Sequence, residues 1–208
     1  MFNLRPLIPL VLAALIASCS DGVGPLLDQV PTDPATGDLV ADSARPDVLQ
    51  LVAGAPALET YDTTFWAIQG EPTNFTVHYL ATDPETGELL KFLKLKVPNT
   101  SRLMDPDGNL LVDGDSLLIS VKVSQAELAV QLGPHGTIFA DDPLEFIIDY
   151  AYADLSSDPA KTETDLALWY QPVEGEPWSL LSSEVDTRGK WLVAYLGHFS
   201  NYAVAWRE

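Results

Sequence analysis

Between Tyr61 and Trp206 the chain is a succession of short apolar or alternating runs, each ended by a turn signal before a helix of useful length could form. In order they are "YDTTFWAI", "NFTVHYLA", "LLKFLKLKV", "SLLISVKV", "ELAVQL", "LEFIIDYA", "TDLALWYQ", "WSLLSSEV", "KWLVAYL" and "FSNYAVAW". Runs of this length, rich in β-branched and aromatic residues and closely spaced, predict an all-β domain built as an antiparallel β-sandwich. Alternation is clean in "KFLKLKV" except for one slip between Phe92 and Leu93, which predicts a β-bulge. Hairpin chemistry supports the same reading: "DPETGEL" puts Gly87 where a positive φ is needed, and "EVDTRGKW" supplies Asp186 and Gly189 between two strands.

The region ahead of these runs has a different texture. Residues 1–18 begin with a short basic stretch containing Arg5 and continue with an apolar stretch, Leu7 to Ala17. That stretch has the length of a signal-peptide core and falls short of the ~20 residues that span a bilayer. From Cys19 to Pro56 the chain is rich in Asp, Pro, Ala and Gly and has no sustained period, which predicts a disordered tether. A flexible chain of some 35 residues holds its cargo on the order of 30 Å from its anchor. Within it only "DVLQLV" has the pattern of a short docking strand. The folded domain is expected over 57–208.

Composition narrows the partners. With 11 basic against 30 acidic residues the net charge is -19, so a polyphosphate would be repelled over most of the surface and nucleic acid is excluded. The acids are scattered through turns, as on a solvated surface, and do not form one block. Cys19 is the only cysteine, which removes disulfides and thiol catalysis together. The fold must be held by its apolar core.

Two resemblances rest on specific residues. Ile16-Ala17-Ser18-Cys19 resembles the lipobox of bacterial lipoproteins, which implies cleavage before Cys19, acylation of its thiol and a lipid anchor in the bacterial cell envelope. Several acyl chains together anchor stably where one does so only marginally. From about Leu89 to Trp206 the pieces "LKLKVP", "LLISVKV", "LGPHGTIFADDPLEFIIDY", "LALWY", "WSLLSSEVD" and "HFSNYAVAW" resemble, in order, the ZU-five domain of ankyrins, netrin receptors and zonula occludens proteins. The chain departs from that pattern after Pro98, where it reads "NTSRL". The resemblance implies a β-sandwich used for protein interaction or envelope structure, with no cofactor and no small-molecule substrate, and leaves the protein partner unnamed.

Candidate sites are few. "DPDGNLLVDGDS" places Asp105, Asp107 and Asn109 at alternate positions, with Asp113 and Asp115 following. An EF-hand needs Gly at its sixth position and Glu at its twelfth, and here those are Leu110 and Ser116. The stretch reads as a hairpin of two polar turns, with a weak, irregular calcium site in a calcium-dependent adhesion module as the alternative. His78, His135 and His198 lie far apart in sequence, without the spacing of a helical zinc pair, and His135 between Gly133 and Gly136 reads as a turn residue. Trp66, Trp169, Trp178, Trp191 and Trp206 are core candidates first and contact candidates second.

The tripeptide His198-Phe199-Ser200 matches the motif at which some ZU-five proteins and the related domain of adhesion receptors cut themselves. The resemblance implies attack by Ser200 Oγ on the Phe199 carbonyl, with His198 taking the hydroxyl proton. The alternative is a structural His198 at the mouth of the last strand.

Overall fold

The computed structural model describes residues 41, 42 and 45–207. Cys19, the signal-peptide core and most of the expected tether lie outside the described residues. All strand pairs are antiparallel. One sheet has seven strands in the spatial order β1 (Ala41–Asp42), β11 (Trp178–Leu181), β10 (Leu166–Gln171), β14 (Asn201–Trp206), β7 (Ala129–Gly133), β6 (Ser116–Val123) and β2 (Asp62–Ile68). The other has five, β12 (Ser183–Asp186), β13 (Trp191–Leu196), β9 (Leu144–Asp149), β4 (Leu89–Val97) and β3 (Thr73–Thr82). A two-stranded ribbon, β5 (Arg102–Met104) with β8 (Ile138–Ala140), stands beside them.

The expected β-sandwich is therefore the fold, and its main core is the space between the two large sheets. Leu168, Tyr170, Tyr202, Val204, Val121 and Ile119 from one inner face meet Leu192, Ala194, Phe146, Ile148, Leu93 and Leu95 from the other, all buried in one cluster. Successive side chains of a strand alternate between faces, so these period-2 sets are the apolar half of each run. Where the two sheets' edge strands β2 and β3 meet, Phe65 and Phe75 stack with centroids 4.5 Å apart.

The predicted bulge is present. Val77 pairs with Leu93 and His78 with Lys91, so Phe92 has no partner opposite it. The extra residue lets the consecutive Phe92 and Leu93 both point inward, and both are fully buried. Tyr79 then packs edge-on against Phe92 at 5.4 Å.

Three features differ from the sequence reading. "WSLLSSEV" is two strands, with β11 in the seven-stranded sheet and β12 in the five-stranded one. Every residue of that run tolerates a strand, so nothing in its composition marks the crossing at Ser182. The β5–β8 ribbon was hidden because strands of three residues carry no readable period. In the turn before β13 the left-handed residue is Lys190, at φ 60°, and not Gly189. Gly189 is required instead by crowding: a Cβ there would stand 2.6 Å from Asp186 Oδ2 and 2.8 Å from Trp191 Cδ1.

The part of the expected tether that is described is packed onto the domain. Val48 bridges Ala205 and Leu51 bridges Ala153. The Leu49 amide donates to the Val204 carbonyl at 2.9 Å and the Leu128 amide donates back to Leu49 O at 2.9 Å. "DVLQLV" docks as its pattern predicts, as a wedge between β14 and the chain leading into β7, with Leu49 only 1% exposed. Truncating a fully buried leucine costs roughly 2–5 kcal/mol. Leu49→Ala is accordingly expected to lower the urea midpoint by that equivalent, whereas a wild-type midpoint would mean that the folded unit does not extend back to Leu49.

Candidate functional site

His198, Phe199 and Ser200 are brought together at the turn from β13 to β14. The motif precedes the last strand and is not part of its ladder. Its backbone is fixed from two sides: the Phe199 amide donates to Thr137 O at 3.0 Å, and Ser200 O accepts from the Leu132 amide at 3.0 Å. His198 bridges Ile138 of β8. The Tyr202 hydroxyl donates to the His198 carbonyl. Burial pushes the Tyr202 phenol up, so it stays a donor at any physiological pH.

The side chains have the contact that the motif implies. Ser200 Oγ lies 3.0 Å from His198 Nδ1, and in the tautomer protonated at Nε2 the hydroxyl donates to Nδ1. Burial pushes the His198 imidazole below its ordinary value, which leaves it neutral and able to accept a proton. The Tyr170 ring meets the imidazole edge-on at 5.3 Å.

The groups that would make Phe199 a good electrophile are less developed. No backbone amide among the described residues donates to the Phe199 carbonyl, so an oxyanion there has no such donor waiting. Neither Phe199 nor Ser200 has a left-handed φ or a cis peptide. Phe199 is itself a core residue, set edge-on to Phe139 at 4.9 Å, and Ser200 is fully buried. The turn holds an aligned nucleophile and base inside an ordinary, well-packed backbone.

The acidic loop is resolved into local turns. Asp105 Oδ1 accepts the amides of Asp107 and Asn109 at 3.0 and 2.8 Å, while its Oδ2 accepts from the Asn109 side chain at 3.0 Å. Asp115 Oδ2 accepts the Val112 amide at 3.1 Å. These bonds engage Asp105 and Asp115 within their own turns, with Gly108 and Gly114 supplying the positive φ values. Asp113, in the same turn as Asp115, packs beside Gly70. Among the described residues no group of three or more His, Cys, Asp and Glu side chains is placed to hold a metal. His78 bonds Glu59 at 2.9 Å and His135 is exposed, with its Nε2 3.4 Å from the Gln131 amide nitrogen, so the three histidines stay apart.

Of the tryptophans, Trp169, Trp178 and Trp206 are buried, Trp191 lies under the Lys94 ammonium at 4.2 Å, and Trp66 is 57% exposed on β2 opposite Leu118. Trp169 and Trp178 belong to a second apolar cluster, with Val48, Ala203 and Ala205, on the outer face of the seven-stranded sheet.

Beside that cluster the outer face carries an open groove that sequence reading missed. Across its floor run residues directly opposite one another on neighbouring strands: Lys122 with Gln131, Gln131 with Asn201, and Asn201 with Gln171. Each is an ordinary polar residue of its own strand. Only the pairing of β6, β7, β14 and β10, which is non-local, aligns them. No family model, curated protein or solved structure matches the chain.

One buried carboxylate stands outside both places. Asp149, at the end of β9, is 7% exposed and accepts the Ala151 amide at 2.9 Å. Burial pushes it up to about 6 from 3.8, partly offset by that amide, by Tyr79 and by the Lys94 charge. The Tyr79 hydroxyl faces it without reaching full hydrogen-bond geometry. A carboxyl that binds its proton more tightly folded than unfolded stabilises the fold at low pH. That contribution is lost as pH rises through the window from 3.8 to about 6. About two pH units at about 1.36 kcal/mol each make the expected cost at neutral pH about 2–3 kcal/mol. Asp149→Asn keeps the acceptor for Ala151 and removes the charge. It should be more stable than wild type at pH 7.5 and indistinguishable from it at pH 3.5 in thermal melts, and equal melts at pH 7.5 would contradict this assignment.

Proposed function

We propose that the chain is a bacterial envelope lipoprotein, anchored through acylated Cys19, that presents its β-sandwich as a non-catalytic module for interaction or envelope structure. The observation that carries this reading is the groove on the outer face of the seven-stranded sheet, a solvent-open, hydrogen-bonding surface built on strands that are paired along both edges. A recognition surface set on central strands is held rigid without loops to order on binding. The anchoring half rests on Ile16-Ala17-Ser18-Cys19 and on the apolar stretch before it. Cys19→Ser should move the protein from the membrane fraction to the soluble fraction of lysed cells. Retention of the variant with membranes would rule out Cys19 as the anchor.

A second reading is favoured by one distance, the 3.0 Å between Ser200 Oγ and His198 Nδ1. In this reading Ser200 Oγ attacks the Phe199 carbonyl carbon as its proton passes to His198. The Phe199–Ser200 C–N bond then breaks, the freed Ser200 amine takes a proton, and water hydrolyses the resulting ester to a Phe199 carboxylate. The carboxyl-terminal piece would remain in place, because β14 is hydrogen-bonded along both edges. Cleavage would therefore be visible only after denaturation. An intact mass under denaturing conditions that shows a separate Ser200-to-Glu208 peptide, absent from Ser200→Ala, supports self-processing. A single uncut mass assigns the motif to sandwich architecture.

A further inference from the structure

The groove has a chemistry specific enough to name a class of ligand. The inference rests on the reading of the domain as an envelope binding module and deepens it. Gln131, Asn201 and Gln171 stand in one line on β7, β14 and β10, one residue per strand. Neighbouring strands are about 4.8 Å apart, so the three side-chain amides repeat at roughly that interval across the sheet. A side-chain amide both donates and accepts, and so does a hydroxyl.

The amides are only partly used within the protein. Asn201 Nδ2 donates to Gln171 Oε1 at 3.2 Å, and Gln171 Nε2 donates to the Glu176 carbonyl at 2.8 Å. Those two bonds fix the orientation of Gln171 and Asn201. They leave Asn201 Oδ1 and the exposed Gln131 Oε1 without a partner among the described residues, while Gln131 Nε2 stands 3.4 Å from His135 Nε2. Next to this line the half-buried Ala129 adds apolar surface and the edge of the largely buried Trp178 indole lines one side, while Ala203 opposite Ala129 is covered by the second apolar cluster.

Charge and shape decide between occupants. The rim carries Lys122 and Arg45 on one side and Glu174 and Glu176 on the other, and Arg45 is already paired with Glu127. A groove of balanced sign on a chain of net charge -19 does not select a polyanion. An extended peptide reads a sheet at its edge, through backbone bonds and pockets for alternate side chains. This groove crosses the middle of a sheet whose backbone is already paired, and its Ala129 floor provides no side-chain pocket. A sugar ring offers what remains: an apolar C–H face for Ala129 and the edge of Trp178, and hydroxyls around its rim that match a line of amides.

We infer that the outer face of the seven-stranded sheet binds an extended, uncharged saccharide chain lying across β7, β14 and β10, read by Gln131, Asn201 and Gln171. The test applies the full chain, kept in a zwitterionic detergent without a sugar headgroup, to an array of neutral and N-acetylated hexasaccharides, acidic hexasaccharides and extended peptides. Retention is expected on neutral or N-acetylated hexasaccharides, weakened about tenfold by Gln131→Ala and by Gln171→Ala, the loss that one hydrogen-bonding side chain accounts for. Gln131 is exposed, so Gln131→Ala should melt as wild type, whereas Gln171→Ala also removes the bonds to Asn201 and the Glu176 carbonyl and should melt slightly lower; Tyr195→Ala, on β13 of the other sheet, should bind as wild type does. Retention only on peptides or only on acidic sugars overturns the assignment, as does saccharide binding that both glutamine variants leave intact. No retention at all overturns it too. Fractionation of Cys19→Ser reads the anchoring separately, so failure on the array and failure of the envelope reading are distinguishable.

Discussion

The structure depends on one strand, β14, being paired along both edges and buried on both faces. Its residues 201–206 run against β10 on one side and, through 201–203, against β7 on the other. Its inward set, Tyr202, Val204 and Trp206, belongs to the main core, and its outward set, Ala203 and Ala205, belongs to the second cluster with Trp169 and Trp178. From Tyr202 to Trp206 the strand has no solvent face and must satisfy every backbone group within the protein, because an unpaired buried amide costs as much as a lost hydrogen bond. Beyond Ala203 that requirement is met by the chain entering the domain, where Leu49 and Leu128 take the places that β7 no longer fills. The first and last described segments of the domain thus complete each other.

That arrangement connects the three places of functional interest. The His198-Phe199-Ser200 turn leads directly into β14, the amide line of the outer face uses its first residue, Asn201, and the segment that follows β1 packs on β14 at Val48 beside Ala205. The same burial sets the chemistry of the turn. It keeps His198 neutral, which leaves Nδ1 open to the Ser200 hydroxyl but makes the imidazole a weaker base, and it keeps Ser200 out of water, which disfavours the hydrolysis that would follow an acyl shift.

Much of the fold was legible because period 2 survives in strands with one wet face. "KFLKLKV" showed its inner set and even its bulge, since a slip in alternation can be accommodated only by an extra residue. The docking of "DVLQLV" was readable for the same reason. What could not be read was pairing across distance. Nothing local in "AVQLG", "NYAVAW" and "LALWYQ" says that Gln131, Asn201 and Gln171 share a line, because that follows from a strand order joining residues 30 to 70 positions apart. The crossing between β11 and β12 was invisible on similar grounds, as was Asp149, whose burial comes from Tyr79 and the bulged β4 and not from its own neighbours in sequence. The serine and histidine of the turn were recognisable as a motif, whereas their 3.0 Å contact depends on Thr137 and Leu132 holding the backbone.

Amide hydrogen exchange on the full chain tests the central claim most directly. If β14 is the element on which the fold depends, the amides of 202–206 exchange in the slowest class, at the rate of global unfolding, and the amides of Leu49 and Leu128 exchange with them. Exchange of β14 as fast as that of the edge strands β2 and β3, or fast exchange at Leu49 while β14 stays protected, would contradict the account.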